Sequence, residues 1–464
     1  MSSNLTYSLG DVADVYDGPH ATPKKLEQGD AIFLSISSLE QGRLNLEQSS
    51  YISEEDYIKW TRRVTPQPGD VVFSYETKIG EASIIPEGLR CCLGRRMGLL
   101  RAKRNKVTPD FLLYAYLSPA FQEVIREKTI HGSTTDRLSI KEIPSFKIQI
   151  PDIRKQNEII KILKAIDGRL ELNQQVNKTL EQIAQALFKS WFVDFEPVKA
   201  KIAVLEAGGS QKEATLAAMT AISGKDADAM VFFEREYPEQ YAELKATAEL
   251  FPSAMQEGAL GATPTGWKLG CIGDISHRIR TKVGSTSAVV LSAIASGDLV
   301  PSDEHFTKQV YSKSIEKYIL VEQWSFAYNP SRINIGSIGL NVRNVNGAVS
   351  PVYVVFKTEQ EYKWYVEILT KTTYFKNNVN ILASGSVRQS LSYDDLSSIP
   401  LCIPDVSIVN VFNEKYEGYL TFIKQYRNQN NTLISIRDTL LPKLLSGEIT
   451  LPEAEQAVSE AENV

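Results

Sequence analysis

The sequence predicts an α+β protein with an internal pseudo-two-fold repeat: two similar β-rich α/β domains, separated by two long antiparallel helices, plus a helical insert. The main observation is that residues 132–192 align without a gap on residues 385–445, with 14 of 61 positions identical. Unrelated segments of that length would share roughly four positions, so a repeat is the better explanation. Each copy also follows a β-rich stretch and leads into about forty residues without proline.

The repeat is clearest in two octets, GSTTDRLS at 132–139 and GSVRQSLS at 385–392. Each octet is followed, at the same distance, by Ile-Pro-Asp, and its ends are kept while its centre changes. Upstream, Phe73-Ser-Tyr75 and Phe326-Ala-Tyr328 keep the same offset of 253 residues. The chain therefore contains one structural plan twice.

The copies are predicted to start at Leu9-Gly-Asp-Val and Leu269-Gly-Cys-Ile, an offset that differs by seven residues because surface loops tolerate short insertions. Short strands such as 70–75 and 351–356 are predicted next, followed by helices at 111–128 and 362–376. These patterns predict two globular domains, two long helices, an acidic helical insert and an acidic tail, with the boundaries 1–150, 151–197, 198–263, 264–404, 405–448 and 449–464.

The two long helices are predicted to begin after Pro151 and Pro404, where Asp152 and Asp405 can accept hydrogen bonds from free amide groups. Apolar residues recur every seven positions in each, interrupted in the first by Asn173. Two helices of an ordinary bundle would also fit this pattern. Because each helix follows its own β-rich domain, we interpret the pair as a rigid spacer.

Charge and composition narrow the function. The net charge of −5 is uneven: residues 1–150 sum to 0 and 264–404 to +3, whereas 201–262 sum to −5. Nucleic acid therefore remains a possible partner of the two domains but not of the insert. No stretch of roughly 20 apolar residues and no signal peptide is present, which predicts a cytoplasmic protein without membrane contact.

No active site is predicted. The sequence has no Walker motif, no GxGxxG and no CxxC pair, and Asn329-Pro-Ser-Arg332 lacks the second proline and the ring of an adenine-methyltransferase tetrad. His131 beside the first octet has Ser384 as its counterpart, so a catalytic base there is disfavoured. We expect no catalytic residue, no metal site and no cofactor in this chain.

The octets suggest contact with DNA, because glycine permits close approach to a phosphate and hydroxyl or arginine side chains can bind phosphates and base edges. A turn that only starts a helix would also explain Gly-Ser. Nearby basic and aromatic side chains extend the candidate surface. The candidate DNA-binding residues are Arg62, Arg63, Tyr75, Lys78, Arg95, Arg96, Ser133, Thr134, Thr135, Arg137, Arg278, Arg280, Tyr328, Arg332, Ser386, Arg388 and Gln389.

With Leu187-Phe-Lys-Ser-Trp-Phe-Val-Asp-Phe-Glu-Pro197 and Leu440-Leu-Pro-Lys-Leu-Leu-Ser-Gly-Glu448 as helix endings, the chain resembles the specificity subunit of type I restriction-modification systems along its whole length. The resemblance implies two target recognition domains, each reading half of an asymmetric double-stranded DNA site. It also implies two copies of a modification (methyltransferase) subunit using S-adenosylmethionine, and restriction subunits using ATP and Mg²⁺. A coiled-coil interaction scaffold without a DNA target is the alternative, and a self-contained methyltransferase is disfavoured by the missing motifs.

Overall fold

The computed structural model describes residues 5–40, 42–132, 135–306, 311–384, 390–446, 448–450, 452–454 and 456. They form two compact units, the first combining residues 1–176 with 424–464 and the second comprising residues 177–423. Within the described ranges, no helix is both long and apolar enough to cross a membrane. We call residues 5–150 of the first unit the first head and residues 264–404 of the second unit the second head.

The first unit begins with short strands that alternate with loops and short helices. Its strands are β1 (Leu5–Ser8), β2 (Ala13–Asp17), β3 (Ala31–Leu34), β4 (Leu39–Glu40), β5 (Arg43–Leu44), β6 (Ser50–Ile52), β7 (Val71–Ser74), β8 (Ala82–Ile84), β9 (Cys91–Leu93), β10 (Met97–Ala102) and β11 (Lys147–Ile150). Its helices are α1 (Leu9–Val12), α2 (Glu54–Trp60), α3 (Pro109–Leu117), α4 (Pro119–Lys128) and the first part of α5 (Ile153–Phe192).

The second unit holds the rest of α5, the insert, the second head and the first part of the last helix. Its strands are β12 (Met255–Gly258), β13 (Gly261–Pro264), β14 (Lys268–Cys271), β15 (Ser276–Ile279), β16 (Val289–Ala293), β17 (Leu299–Pro301), β18 (Ile319–Val321), β19 (Ser325–Tyr328), β20 (Ile338–Leu340), β21 (Gly347–Val349), β22 (Val354–Thr358) and β23 (Pro400–Ile403). Its helices are α6 (Glu196–Glu206), α7 (Gln211–Ser223), α8 (Ala227–Glu236), α9 (Pro238–Leu250), α10 (Ser302–His305), α11 (Lys363–Leu369), α12 (Thr373–Ser384), α13 (Tyr393–Ser397) and α14 (Val406–Ser446).

The heads share one strand plan, as the repeat predicts. The first contains an antiparallel sheet in the order β2-β10-β7-β8, and the second contains β15-β22-β19-β20. Each also has a parallel pair, β3 with β9 and β16 with β21, in a second sheet. An antiparallel pair of the first and last strands closes each head, β1 with β11 and β14 with β23. The predicted fold class, β-rich heads with long helices and an internal repeat, is confirmed.

The predicted start of the second copy was wrong. Leu9 donates its backbone N–H to Phe146 O at 2.8 Å, and the matching bond in the second head runs from Ile272 to Ile399 O at 3.1 Å. Phe146 and Ile399 are 253 residues apart, so Leu9 corresponds to Ile272 and not to Leu269. With this alignment, Gly10-Asp11 after Leu9 matches Gly273-Asp274 after Ile272. The shared leucine of Leu9 and Leu269 indicated the wrong position.

The predicted helices at 111–128 and 362–376 are each divided. In the first head, Ser118 ends α3 and caps α4 by accepting the Phe121 N–H, with Pro119 at the first position of α4. In the second head, Thr372 accepts the Phe375 N–H at 3.2 Å and starts α12. Capping side chains and proline favour a new helix start over continuation.

The long helices begin where the sequence predicts. Lys155 donates its backbone N–H to Asp152 Oδ1 at 3.0 Å, and Ser407 donates its N–H to Asp405 Oδ1 at 2.9 Å. These bonds satisfy amide groups that the first helical turn leaves free. Both helices extend about forty residues, to Phe192 and Ser446; α5 ends before Pro197, and α14 contains Pro442 near its end.

Within the first unit, α5 and α14 pack antiparallel. Buried Asn173 donates its side-chain amide to Gln429 Oε1 at 2.8 Å and to Asn430 Oδ1 at 2.9 Å. Six residues before Asn173 on α5, Asp167 forms an ion pair with Arg437 of α14. Its Oδ1 lies 3.2 Å from Arg437 Nη1. The asparagine that interrupts the apolar pattern is therefore a polar contact between the paired helices.

Within the second unit, the same helices pass through an aromatic core. Phe412 of α14 packs against Phe188, Trp191 and Phe192 of α5, with ring centroids 5.2 to 6.2 Å apart. The insert joins this core through Phe251, whose ring meets Trp191 edge-on at 5.1 Å. The predicted helical insert is thus held against the C-terminal part of α5 by an apolar contact.

Candidate nucleic-acid interface

Loops that follow or precede the strands of one sheet meet at one end of the first head. Gly18 after β2 donates its N–H to Met97 O at 3.0 Å, and Tyr75 after β7 donates its N–H to Arg96 O at 3.3 Å. The octet joins them because Leu138 donates its N–H to Tyr75 O at 2.8 Å. We call residues 17–20, 75–80, 94–97, 130–132 and 135–138 the first loop cluster.

Backbone geometry holds this cluster tightly. A Cβ on Gly18 would lie 2.7 Å from Met97 O, so a larger residue would push two of the loops apart. Thr77 and Arg96 adopt positive φ angles of 70° and 72°, a conformation that non-glycine residues rarely adopt. Strained residues of this kind concentrate at functional sites, where the surrounding structure holds them in place.

Asp17 is the centre of the polar contacts in the first loop cluster. Tyr75 donates its hydroxyl to Asp17 Oδ1 at 3.0 Å, while His20 Nε2 lies 2.9 Å and Arg63 Nη1 lies 3.5 Å from Oδ2. Burial, aided by Asp17, raises the pKa of Tyr75 well above its usual value, so the hydroxyl remains a donor. The carboxylate thus orients an exposed arginine and an exposed histidine.

The other predicted basic residues of the first head have varied surroundings. Arg63 also donates to Gly18 O at 3.1 Å, and Lys78 donates its ammonium to Leu39 O at 3.1 Å. Arg96 forms an ion pair with Glu76, with Nε 2.8 Å from Oε2. Arg62 and Arg95 are exposed. The structure therefore brings Arg63, Lys78 and Arg96 to loops that contact one another.

The described part of the first octet places an arginine at the surface of this cluster. Arg137 exchanges backbone hydrogen bonds with Ile130 at 2.8 and 3.1 Å, and it forms an isolated bridge with Glu76. Its side chain is exposed, and that of Thr135 is half-buried. Ser133 and Thr134 lie outside the described residues.

The second head has a corresponding arrangement with different side chains. Leu391 of the second octet donates its N–H to Pro330 O at 3.1 Å, and Tyr328 donates its hydroxyl to Leu391 O at 3.3 Å. Arg278 on β15, Arg280 after it and Arg332 are exposed. Burial raises the pKa of Tyr328, and the charge of Arg278 opposes that rise. Ser386, Arg388 and Gln389 lie outside the described residues.

The arrangement favours hydrogen bonding over base stacking. Tyr75 is 7% exposed and Tyr328 is 0% exposed, so their rings pack inside the heads and do not face solvent. Exposed arginine and lysine side chains on loops can reach phosphate oxygens and base edges. Within the described ranges, no three His, Cys, Asp or Glu side chains gather as a metal site would require. Which of these residues contact DNA stays a prediction.

Reasoning from sequence missed Asp17, His20 and Glu76. Asp17 and Tyr75 are 58 residues apart, and no repeat or motif joins them. The one available signal was the dipeptide Asp17-Gly18, which is typical of a turn. Asp17 and Glu76 carry negative charge, which by itself does not indicate contact with a polyanion.

Comparisons with known proteins point to one family. The family profile described as "Type I restriction modification DNA specificity domain" matches residues 1–182. The type I restriction enzyme HindI specificity subunit of Haemophilus influenzae is 31% identical over 371 residues, covering 76% of this chain and 80% of that protein. The MjaIX specificity subunit of Methanocaldococcus jannaschii is 22% identical over 455 residues, covering 94% of this chain and 88% of that protein. A solved type I restriction-modification S subunit from M. genitalium aligns over 96% of both chains with 12% identity and a TM-score of 0.46.

Proposed function

The chain belongs to the specificity subunits of type I restriction enzymes, the subunits that recognise the DNA sequence, and from this premise we propose how it reads its site. The predicted domains 1–150 and 264–404, which contain the two heads, are target recognition domains, and each reads one half of a split, asymmetric site in double-stranded DNA. The long helices fix the spacing between the halves. Membership in this family does not favour the alternative of a scaffold without a DNA target.

The observation that carries the proposal is one strand plan with two different sets of loop side chains. Both heads keep the same order in their antiparallel sheets, and both attach the octet beside the end of the central strand. In the first head the buried Tyr75 donates its hydroxyl to the Asp17 side chain, whereas in the second Tyr328 donates its hydroxyl to the backbone oxygen of Leu391. A constant frame with different polar side chains suits two different short base sequences.

The proposal assigns the chemistry to other subunits. Two copies of a modification subunit would bind the chain, since a repeated protein offers the same surface twice. Those subunits would hold S-adenosylmethionine and methylate adenine, and restriction subunits would use ATP and Mg²⁺. The chain itself contributes recognition and assembly, without a catalytic residue.

The test replaces Arg137, the exposed arginine of the first octet. Cells that carry the modification subunit and either the parent chain or Arg137→Ala are compared by sequencing methylated adenines in genomic DNA. Loss of one bidentate contact to a base costs about 1–3 kcal/mol, so the first half-site should be relaxed or weakly methylated. The second half-site should stay unchanged.

The matched control is Arg154→Ala, an exposed arginine at the start of α5. It should leave both half-sites intact. Equal weakening of both halves by Arg137→Ala would contradict a separate reading domain in each unit, as would a change in the second half alone. Purified complexes should also bind duplex DNA with a steep dependence on salt, which a scaffold without a DNA target would lack.

A further inference from the structure

The repeat conserves one polar contact between each head and the long helix of its own unit, but the charges are reversed. In the first unit, Lys164 Nζ of α5 lies 2.8 Å from Asp110 Oδ2 of α3. In the second unit, Lys363 Nζ of α11 lies 3.2 Å from Glu417 Oε1 of α14. Asp110 corresponds to Lys363 and Lys164 to Glu417, each at the offset of 253 residues.

A neighbouring hydrogen bond is reversed as well. In the first unit the head supplies the donor, since Tyr114 donates its hydroxyl to Asp167 Oδ2 of α5 at 2.5 Å. In the second unit the long helix supplies it, since Tyr416 of α14 donates to Glu367 Oε2 of the head at 2.9 Å. Tyr114 and Glu367 also differ by 253 residues. The heads therefore present opposite polarity at two matched positions.

The contact of the second unit is partly enclosed on the side of its lysine, where charge counts for more than in open solvent, whereas Lys164 and Asp110 of the first unit are 55% and 34% exposed. Lys363 is 12% exposed and its ammonium stands 4.5 Å from the centre of the Trp324 ring. Trp364 donates its indole N–H to Glu417 at 2.6 Å. Lys363 begins α11, where the helix dipole disfavours a cation, so the opposing carboxylate offsets an unfavourable position.

A repeated chain has a particular hazard, because each head could dock on the long helix that belongs to the other unit. Crossed docking would place Asp110 against Glu417 and Lys363 against Lys164. It would also bring Glu367 towards the position of Asp167. Like charges set face to face oppose association, and this is a recognised way to exclude wrong partners.

We propose that the reversed polarity is a pairing code, by which the head-facing surface of each long helix accepts the head of its own unit and rejects the other. The rejected head can belong to the same chain or to a second copy of it. The code keeps the order of the two heads fixed, so that one chain forms one defined pair of units. It operates whether or not the heads read DNA as proposed above.

The test uses full-length variants refolded from urea. D110K/K164E gives the first unit the charge order of the second while preserving an ion pair. Because exposed pairs contribute little to stability, the thermal midpoint of the native protein should stay within about 2 °C of the parent. Refolding should instead yield about half as much native monomer or less, with the remainder in dimers and larger species. Size-exclusion chromatography with light scattering measures the yield.

The decisive variant combines D110K/K164E with K363E/E417K, which reverses both units and restores the difference between them. Its monomer yield should exceed that of K363E/E417K alone, the correct reference because Lys363→Glu also removes the contact with Trp324. Full monomer yield from D110K/K164E would overturn the pairing code. A combined variant no better than its reference would overturn it too.

An exposed ion pair elsewhere in the first head supplies the matched control. Arg126 and Glu123 are 69% and 56% exposed, and they form their ion pair within α4. R126E/E123R should refold to monomer with the parent's yield. An equal loss with this control would show a general effect of charge reversal and refute the proposal.

Discussion

Replacement of Phe412 by alanine tests whether the long helices belong to the core of the second unit. Phe412 is 0% exposed on α14. Its ring centroid lies 5.2 Å from Phe192 and 5.9 Å from Phe188 on α5, and 6.0 Å from Tyr416 on its own helix. A helix resting on the surface of the head would not bury an aromatic residue so completely.

The expected cost follows from this burial. Truncating a fully buried phenylalanine to alanine costs about 3–5 kcal/mol, because transfer energy is lost and the cavity closes only in part. The surrounding side chains of Phe188, Trp191 and Phe192 belong to the same buried cluster and pack against further residues of it. They can therefore move only a little into the cavity that alanine would leave. Domains are stable by about 5–15 kcal/mol, so the variant should unfold at much lower urea concentration.

Urea unfolding followed by tryptophan fluorescence is a suitable assay. Trp191, Trp267, Trp324 and Trp364 lie in the second unit and Trp60 in the first, so the signal reports chiefly on the second. Phe422→Ala is the matched control, since Phe422 is 53% exposed on the same helix and should cost within about 1 kcal/mol. The reasoning is refuted if both substitutions lower the free energy of unfolding equally.

Two further predictions concern titratable groups. Lys268 and the Cys271 N–H donate to Asp274, each at 2.8 Å, and hold its pKa at about 2, below the value of about 3.9 expected in an unfolded chain. This stabilisation is therefore complete above about pH 5 and is lost as pH falls through 2, so Asp274→Asn should flatten the loss of unfolding free energy between pH 5 and 2; an unchanged profile would contradict the assignment. Burial raises the pKa of Cys91 and Cys92 to about 12 and of Cys402 to about 11, whereas Cys271 is half-buried, so a thiol reagent at pH 8 should label Cys271 first in the native protein and all the cysteines only after unfolding. Rapid labelling of the Cys91–Cys92 pair in the native protein would show that its burial is wrong.

Much of the fold could be predicted because its signals are local or periodic. The offset of 253 residues, the capping aspartates and the long proline-free stretches identify the repeat and both long helices. Local patterns misled at Leu269, where a Leu-Gly pair lies close to the true counterpart of Leu9, and at Ser118, whose capping side chain divides a helical stretch. In those places hydrogen bonding to distant backbone, or a single side chain, decides the structure.

The candidate interface was predicted only in part. Arg63, Lys78 and Arg137 were singled out by charge and position, and the structure brings them to loops that contact one another. The burial of Tyr75 and Tyr328 was not foreseen, because a tyrosine at the end of a strand has the same sequence pattern whether its ring points into the head or out of it.

The sequence by itself determined that one domain type occurs twice and that each copy ends in a long capped helix. The sequence repeat, the positions of proline and the heptad spacing are local or periodic features that can be read without the structure. Only the tertiary structure decided that Asp17 contacts His20 and Arg63, and that Asp110 and Lys363 face side chains of opposite charge on the long helices. The physical reason is that the contacts of Asp17 with Arg63 and Tyr75 join residues 46 and 58 positions apart in the sequence. Their energy depends on distance and burial in the folded chain, which a local sequence pattern does not predict.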